Sequence, residues 1–250
     1  MLDQRLNNLL LTLTLSRPEV RNAFNDELIL KLTEIFINIP DNIRAIVLKG
    51  QGPVFCAGGD LEWMRRSSTY TEEQNKQDAL KLAQLFQLIT HCRVPVIAQV
   101  HGAAFGGGCG LVAAADITVA EKNTKFAFSE VRLGLIPATI SSIVIPKIGQ
   151  GHARALFTTG EAFNAEHAYN IGLVHTLAEE NTIDEIVEQK VQAILSAGPN
   201  AIAKSKWLAQ QPPLPIEETA ELLAKARASE EGKEGVSAFL EKRKASYVTK

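Results

Sequence analysis

The stretch Gln99–Ile117, QVHGAAFGGGCGLVAAADI, constrains this chain more than any other. It sets three consecutive glycines, Gly106, Gly107 and Gly108, between an apolar β-like run, Val94–Val100, and a small-residue helical run, Leu111–Ala115. Glycine lets a backbone approach its neighbours closely. A helix start leaves N–H groups unpaired and carries the positive end of the helix dipole. Such a junction serves either as a tight turn with close helix–strand packing or as a cradle for a phosphate or a developing oxyanion. Both readings fit this segment.

At 250 residues the chain is long enough for one domain, with or without a small appendage, and for a sizeable core without staples. A hydrophobic share of 46% and a charged share of 22% are ordinary for a soluble globular protein. The formal net charge of −2 gives no broad attraction to nucleic acid or to an anionic membrane. Three cysteines, Cys56, Cys92 and Cys109, lack CxxC spacing and read as reduced thiols. Cys109 reads as a small buried hydrophobe. Near the N-terminus Leu and Thr alternate as a strand would, and no small-residue cleavage site follows. No apolar stretch reaches the ~18 residues that a membrane span needs. The expected location is the cytoplasm.

Along the chain, strands are expected at Asn8–Leu15, Ile43–Leu48, Val94–Val100, Ile117–Ala120 and Lys125–Phe128. Helices are expected at Asn25–Ile37, where Leu28, Leu32 and Phe36 share a face, and at Glu72–Ile89. This alternation to about residue 175 predicts an α/β core. Further on, the pattern is helix after helix: Thr182–Leu195, Asn200–Gln210, Ile216–Ser229 and Glu234–Lys244. The expected division is a core over 1–182 and a helical region over 183–250, with QPPLP at Gln211–Pro215 as a link between helices. A helical tail on an α/β body points to packing on a partner subunit.

A second glycine-bearing junction follows the Ile43–Leu48 strand: FCAGGDLEWM, residues 55–64, with Asp60 as a plausible cap. Two such junctions supply two converging N–H groups, the minimum for an oxyanion hole; two ordinary strand–helix turns fit as well. The strict dinucleotide fingerprint fails because Leu111 stands where a third glycine is needed, while the frame starting at Gly108 meets the looser form. No Walker A, HExxH, GxSxG or metal-spaced His cluster occurs. His101 reads as a structural, hydrogen-bonded residue. In KFAFSEVRLGLIPATIS, residues 125–141, Glu130 sits among Phe126, Phe128, Val131 and Leu133. Apolar surroundings raise a carboxyl pKa and suit a general acid/base; an edge-strand Glu pointing to water is the other reading.

Taken together, SRPEVRNAF, FCAGGDLEWM, HGAAFGGGCGL, SEVRLGLIP and EGVSAFLEKRK resemble, in order and spacing, the enoyl-CoA hydratase/isomerase (crotonase) superfamily. The wording of the third and fourth motifs is most similar to bacterial hydratases of branched acyl-CoA, the methylglutaconyl-CoA type. The resemblance implies a spiral of ββα units and a C-terminal helical region that builds trimers, often paired into hexamers. It implies an acyl-CoA thioester substrate, no cofactor beyond the coenzyme A that the substrate carries, no bound metal, and neither nucleic acid nor membrane as partner. Its oxyanion hole maps onto the N–H groups of Gly59 and Gly107. Substrate and CoA contacts map onto Arg21, Asn22, Ala23, Ala57, Gly58, Asp60, Leu61, Gly106 and Pro137. Lys242 and Arg243 are candidates for reaching CoA on a neighbouring subunit, although the family ending FLEKRxPxF departs here to FLEKRKASY.

The catalytic carboxylates depart further. Two-carboxylate hydratases carry Glu directly after the glycine cluster, as in GGGCEL; this chain reads GGGCGL, with Gly110 in that place. The second family Glu matches Glu130. A lone Glu suits a Δ3–Δ2 enoyl-CoA isomerase, and it also suits a hydratase in which Glu130 both holds the water and relays its proton. A catalytically dead acyl-CoA-binding homologue is the reading from another class. A methylglutaconyl tail wants a cation for its distal carboxylate, for which Arg132, Arg65 and Arg66 are the candidates.

Overall fold

The computed structural model describes residues 1–248. Strands β1 (Leu2–Asn7) and β2 (Leu10–Leu15) form an antiparallel pair. They lead through α1 (Asp26–Ile37), β3 (Ala45–Gly50), α2 (Leu61–Ser67) and α3 (Glu72–Thr90) to β4 (Val96–Val100). Next come β5 (Ala103–Phe105), α4 (Gly107–Ala114), β6 (Ile117–Glu121) and β7 (Lys125–Ala127). The chain continues with α5 (Ala138–Thr159), β8 (Ala162–Asn164), α6 (Ala165–Asn170), β9 (Thr176–Ala178) and α7 (Ile183–Leu195). Helices α8 (Pro199–Ala209), α9 (Ile216–Ala228) and α10 (Glu230–Leu240) complete it.

The main sheet has the order β1-β2-β3-β4-β6-β9, and every pairing after the first is parallel. Parallel strands are buried on both faces, and β3 and β4 read accordingly as continuous apolar runs. On one face Ile46, Leu48, Val96 and Ala98 join Leu28, Leu32, Leu85 and Phe86 of α1 and α3 in the larger core. On the other, Ala45, Val47, Ile97 and Val119 meet Ile183, Val187, Val191 and Ile194 of α7. So α7 packs on the sheet, and α8–α10 continue beyond it. Helices α9 and α10 bury little: Ile216, Leu223, Val236, Phe239 and Leu240 stay exposed. Among the described residues, no helix is long and apolar enough to cross a membrane.

The expected strand at Asn8–Leu15 is β2, whose Leu11, Leu13 and Leu15 face the core while its threonines lie at the other side. The mixed α/β architecture follows the alternation in the sequence. Six elements escaped it, among them β8, α6 and β9, which are three to six residues long; the other three have a visible cause. β1 is exposed along most of its length and carries no apolar face to announce it. β5 is only three residues long. α5 holds Pro146 and is broken at Gly149, where the backbone leaves helical geometry (φ 77°, ψ 157°), so its periodicity is interrupted.

Small side chains let α4 sit deep: Gly108 through Ala114 are all buried. Phe86 of α3 packs edge-on to Phe24, with ring centroids 6.3 Å apart, and is fully buried. Phe86→Ala is expected to cost about 3–5 kcal/mol through the cavity it leaves. Denaturant unfolding followed by circular dichroism measures this, and a cost below ~1 kcal/mol would mean that the core closes over the gap.

Candidate active site

Three segments meet at the N-terminal end of α4. Residues 55–58 run beside β5: the Phe55 N–H donates to the His101 carbonyl, Cys56 N–H to Ala103, and Phe105 N–H to Cys56. Cys56 thus pairs in parallel with Ala104, and three residues further on each strand stand Gly59 and Gly107. On its other side Gly59 pairs with Phe24: the Phe24 N–H donates to the Gly58 carbonyl at 2.7 Å, and the Asp60 N–H to Phe24 at 2.8 Å. Phe24 also touches the third segment, since a β carbon on Gly107 would lie 3.1 Å from its ring.

Close approach explains the glycines. A β carbon on Gly108 would sit 2.5 Å from the Cys56 carbonyl oxygen, so any side chain there pries the two segments apart. Gly58 (φ 95°) and Gly106 (φ 49°) turn the chain in the left-handed region just before each donor. The N–H groups of Gly59 and Gly107 make no hydrogen bond among the described residues. Gly107 opens α4, where an unpaired donor is expected.

Glu130 completes the group. It begins a 3-10 turn, Glu130–Leu133, so the edge-strand reading does not hold: β7 has ended at Ala127. The turn brings its carboxyl back over the glycines, and a β carbon on Gly106 would lie 3.3 Å from Glu130 Oε1. Glu130 Oε2 is buried and has no partner among the described residues. Burial pushes the Glu130 carboxyl above its ordinary value, only partly offset by its own main-chain N–H.

The place of a second carboxylate is filled. A β carbon on Gly110 would lie 2.6 Å from both Phe86 Cζ and Ile140 Cγ2. Apolar atoms of α3 and α5 therefore occupy the space beside α4 that a side chain at this position would need.

Several expected contact residues spend their side chains inside the protein. Asn22 is fully buried; its amide donates to the Gln51 and Val54 carbonyls and its oxygen accepts from the Arg17 N–H. Asp60 caps α2 by accepting from Glu62 and Trp63, and it pairs with Arg17. Ala23 is buried, and Ala57 N–H donates to the Arg21 carbonyl. Arg21 is exposed on a left-handed turn, Leu61 is 77% exposed, and Pro137 leads into α5. Arg65 pairs with Glu62, Arg66 with Asp26, and Arg132 donates to the Gly160 carbonyl, so each arginine considered for a distal carboxylate holds an internal partner. Arg243 is held by Glu234 and Glu241, while Lys242 is exposed on a left-handed turn. His101 pairs with the Gly52 carbonyl, and the Cys109 thiol donates to Ala104 in full burial. Sequence reasoning missed Phe24, Phe86, Ile140 and Arg17. The motif SRPEVRNAF contains two of them, but only the pairing of Phe24 with Gly59 reveals their place.

The large clefts lie elsewhere. One of about 980 Å³ runs between α5 and α8, and one of about 570 Å³ between α1 and α3; neither includes Gly59, Gly107 or Glu130. Near these residues in the chain, Leu61, Leu133, Leu135 and Ile136 are exposed.

Two unpaired main-chain donors beside one desolvated carboxyl form equipment for polarising a carbonyl and moving a proton. The model of the family described as "Enoyl-CoA hydratase/isomerase" matches residues 5–250. A crotonyl-CoA hydratase of Syntrophomonas wolfei is 33% identical over 252 residues, covering 96% of this chain and 95% of that protein. A 1,2-epoxyphenylacetyl-CoA isomerase of Escherichia coli is 30% identical over 251 residues, covering 96% and 95%. The crystal structure of an enoyl-CoA hydratase from Shewanella pealeana matches with TM-score 0.94 at 35% identity, covering 98% of this chain and 95% of that one. The chain belongs to the enoyl-CoA hydratase/isomerase family, the crotonase superfamily.

Two outcomes test the site's physical character. Gly110→Glu is expected to destabilise the fold by about 1–3 kcal/mol or more through overpacking, without raising turnover; thermal melts and rate assays read both. Glu130 has a raised pKa in the folded state, so the fold loses stability as pH rises from the ordinary 4.5 through that raised value. Glu130→Gln is therefore expected to melt higher than the wild type at pH 7 and to lose that advantage below pH 4.5. An equal difference at both pH values would count against a desolvated carboxylate.

Proposed function

We propose that this chain is an enoyl-CoA hydratase that adds water across the 2,3 double bond of an acyl-CoA thioester, with Glu130 as its sole acid/base group. The desolvated Glu130 carboxyl, with Oε2 lacking a partner among the described residues and Oε1 against Gly106, one residue before a free donor, carries the reading. In it, the N–H groups of Gly59 and Gly107 hold the thioester oxygen. Glu130, in its ionised form, takes a proton from the water that attacks C3. The hydroxyl bonds to C3, the double-bond electrons move onto the thioester oxygen as an enolate, and Glu130 returns the proton to C2 on the same face. One water is added and Glu130 is regenerated.

The proposed CoA and acyl contacts are the loop Arg21–Ala23, the segment Ala57–Leu61, Gly106 and Pro137. Arg21 is the side chain for a phosphate, whereas the Asn22 and Asp60 side chains, engaged inside the protein, shape the two segments. A methylglutaconyl tail requires Arg65, Arg66 or Arg132 to leave its present partner, which makes an uncharged enoyl chain the simpler substrate. The exposed apolar residues of α9 and α10, with Leu133, Leu135 and Ile136, support assembly into trimers or paired trimers.

The apolar wall beside Gly110 favours a second reading, a Δ3–Δ2 enoyl-CoA isomerase, because shifting a double bond needs one base that removes a proton and returns it. Supplying 2-enoyl-CoA and 3-enoyl-CoA separately decides: a hydratase forms 3-hydroxyacyl-CoA from the first, while an isomerase only converts the second. No product from either leaves an acyl-CoA-binding protein without catalysis. Glu130→Gln is expected to lower kcat by about 10²–10⁴-fold while acyl-CoA affinity stays nearly intact. Near-normal turnover in that variant would exclude Glu130 as the acid/base.

A further inference from the structure

We infer that Arg17 is a positioning residue for the reaction: it sets the direction of the Gly59 N–H without touching the substrate. This rests on the proposed oxyanion role of Gly59. Arg17 reaches both flanks of the Phe24–Gly59 pairing. Its Nη1 donates to the Ala23 carbonyl at 2.6 Å, and its Nη2 to Asp60 Oδ2 at 2.8 Å. Ala23 precedes Phe24, and Asp60 follows Gly59. One planar guanidinium thus spans the two strands at the position where the free donor emerges.

The rest of the local network leaves Arg17 little freedom. Its own N–H donates to Asn22 Oδ1, and its carbonyl accepts from the Asn22 N–H at 2.9 Å. Asn22 in turn ties this loop to Gln51 and Val54, the residues that lead into Phe55. The ion pair is shielded, with side chains 13% and 9% exposed. Asp60 also fixes the start of α2 through Glu62 and Trp63. Burial alone pushes its carboxyl up, but the bond from Arg17 and the two cap N–H groups outweigh this and hold it below its ordinary value. Lysine cannot reproduce the arrangement, since one ammonium lacks the fork that meets both oxygens.

Removing Arg17 alone leaves a buried carboxylate unpaired, so a simple loss of fold would be uninformative. The test therefore uses the paired variant R17M/D60N, in which no charge is stranded and Asn keeps the helix cap. Its melting temperature is expected to stay near that of the wild type, with KM within about threefold and kcat lowered about 10–100-fold. An aryl-conjugated 2-enoyl-CoA supplies a second readout, because its absorption moves to longer wavelength when a bound carbonyl is polarised. That shift is expected in the wild type and in E130Q, and is expected to shrink in R17M/D60N. A paired variant that folds with normal kcat and a full shift overturns the proposal. If the paired variant does not fold, R17K decides: a lowered kcat and a reduced shift at near-normal stability support positioning, and wild-type values for both overturn it. No shift in the wild type itself would instead overturn the oxyanion reading on which the proposal stands.

Discussion

The site depends on a lateral contact between two backbones. Residues 55–58 and β5 lie so close that Gly108 has no room for a β carbon against the Cys56 carbonyl. That closeness keeps Gly59 and Gly107 in step, each three residues past the Cys56–Ala104 pairing. Phe24 locks the pairing from both sides, with its main chain on Gly59 and its ring against Gly107. The larger core then serves as the platform beneath: Phe86 supports Phe24, and the buried face of α4 fixes where its first N–H points.

Main-chain donors explain why the site shows so few polar side chains. A side-chain donor must be held in one rotamer, at an entropic cost. A donor at a helix start is held by the helix itself, and its partial positive charge adds to the effect. What the protein supplies is therefore mostly shape, with one titratable group set against it. The burial of Glu130 matters for the same reason: its Oε2 finds no hydrogen-bond partner among the described residues, and desolvation raises the carboxyl's affinity for a proton.

Much of this was legible in the sequence, for identifiable reasons. The alternating apolar runs of β2, β3 and β4 and the helical faces of α1 and α3 announce themselves because each buries a regular face. The two glycine junctions stand out because positions beside the two N–H groups demand glycine: Gly58 and Gly106 take left-handed backbone, and Gly108 has no room for a β carbon. The position of Glu130 could not be read from its own neighbours, which suit a strand as well as a turn; the 3-10 turn closed by Gly134 decides it. Arg17 and the side-chain fate of Asn22 and Asp60 were hidden because their partners are distant in sequence, 43 residues away in the case of Arg17 and Asp60. Short or irregular elements such as β5 and α5 lack the periodicity on which such a reading depends.

The filled space beside Gly110 also limits which protein sequences can neighbour this one. Phe86 and Ile140 come from different helices, and both press on the same point of α4. A carboxylate at that position requires Phe86 and Ile140 to shift or to give way to smaller residues. Each change made alone leaves either a clash or a void, so the path between one and two carboxylates passes through weakened intermediates. The lone-carboxylate design is in that sense held in place by packing, independently of how well it serves the chemistry.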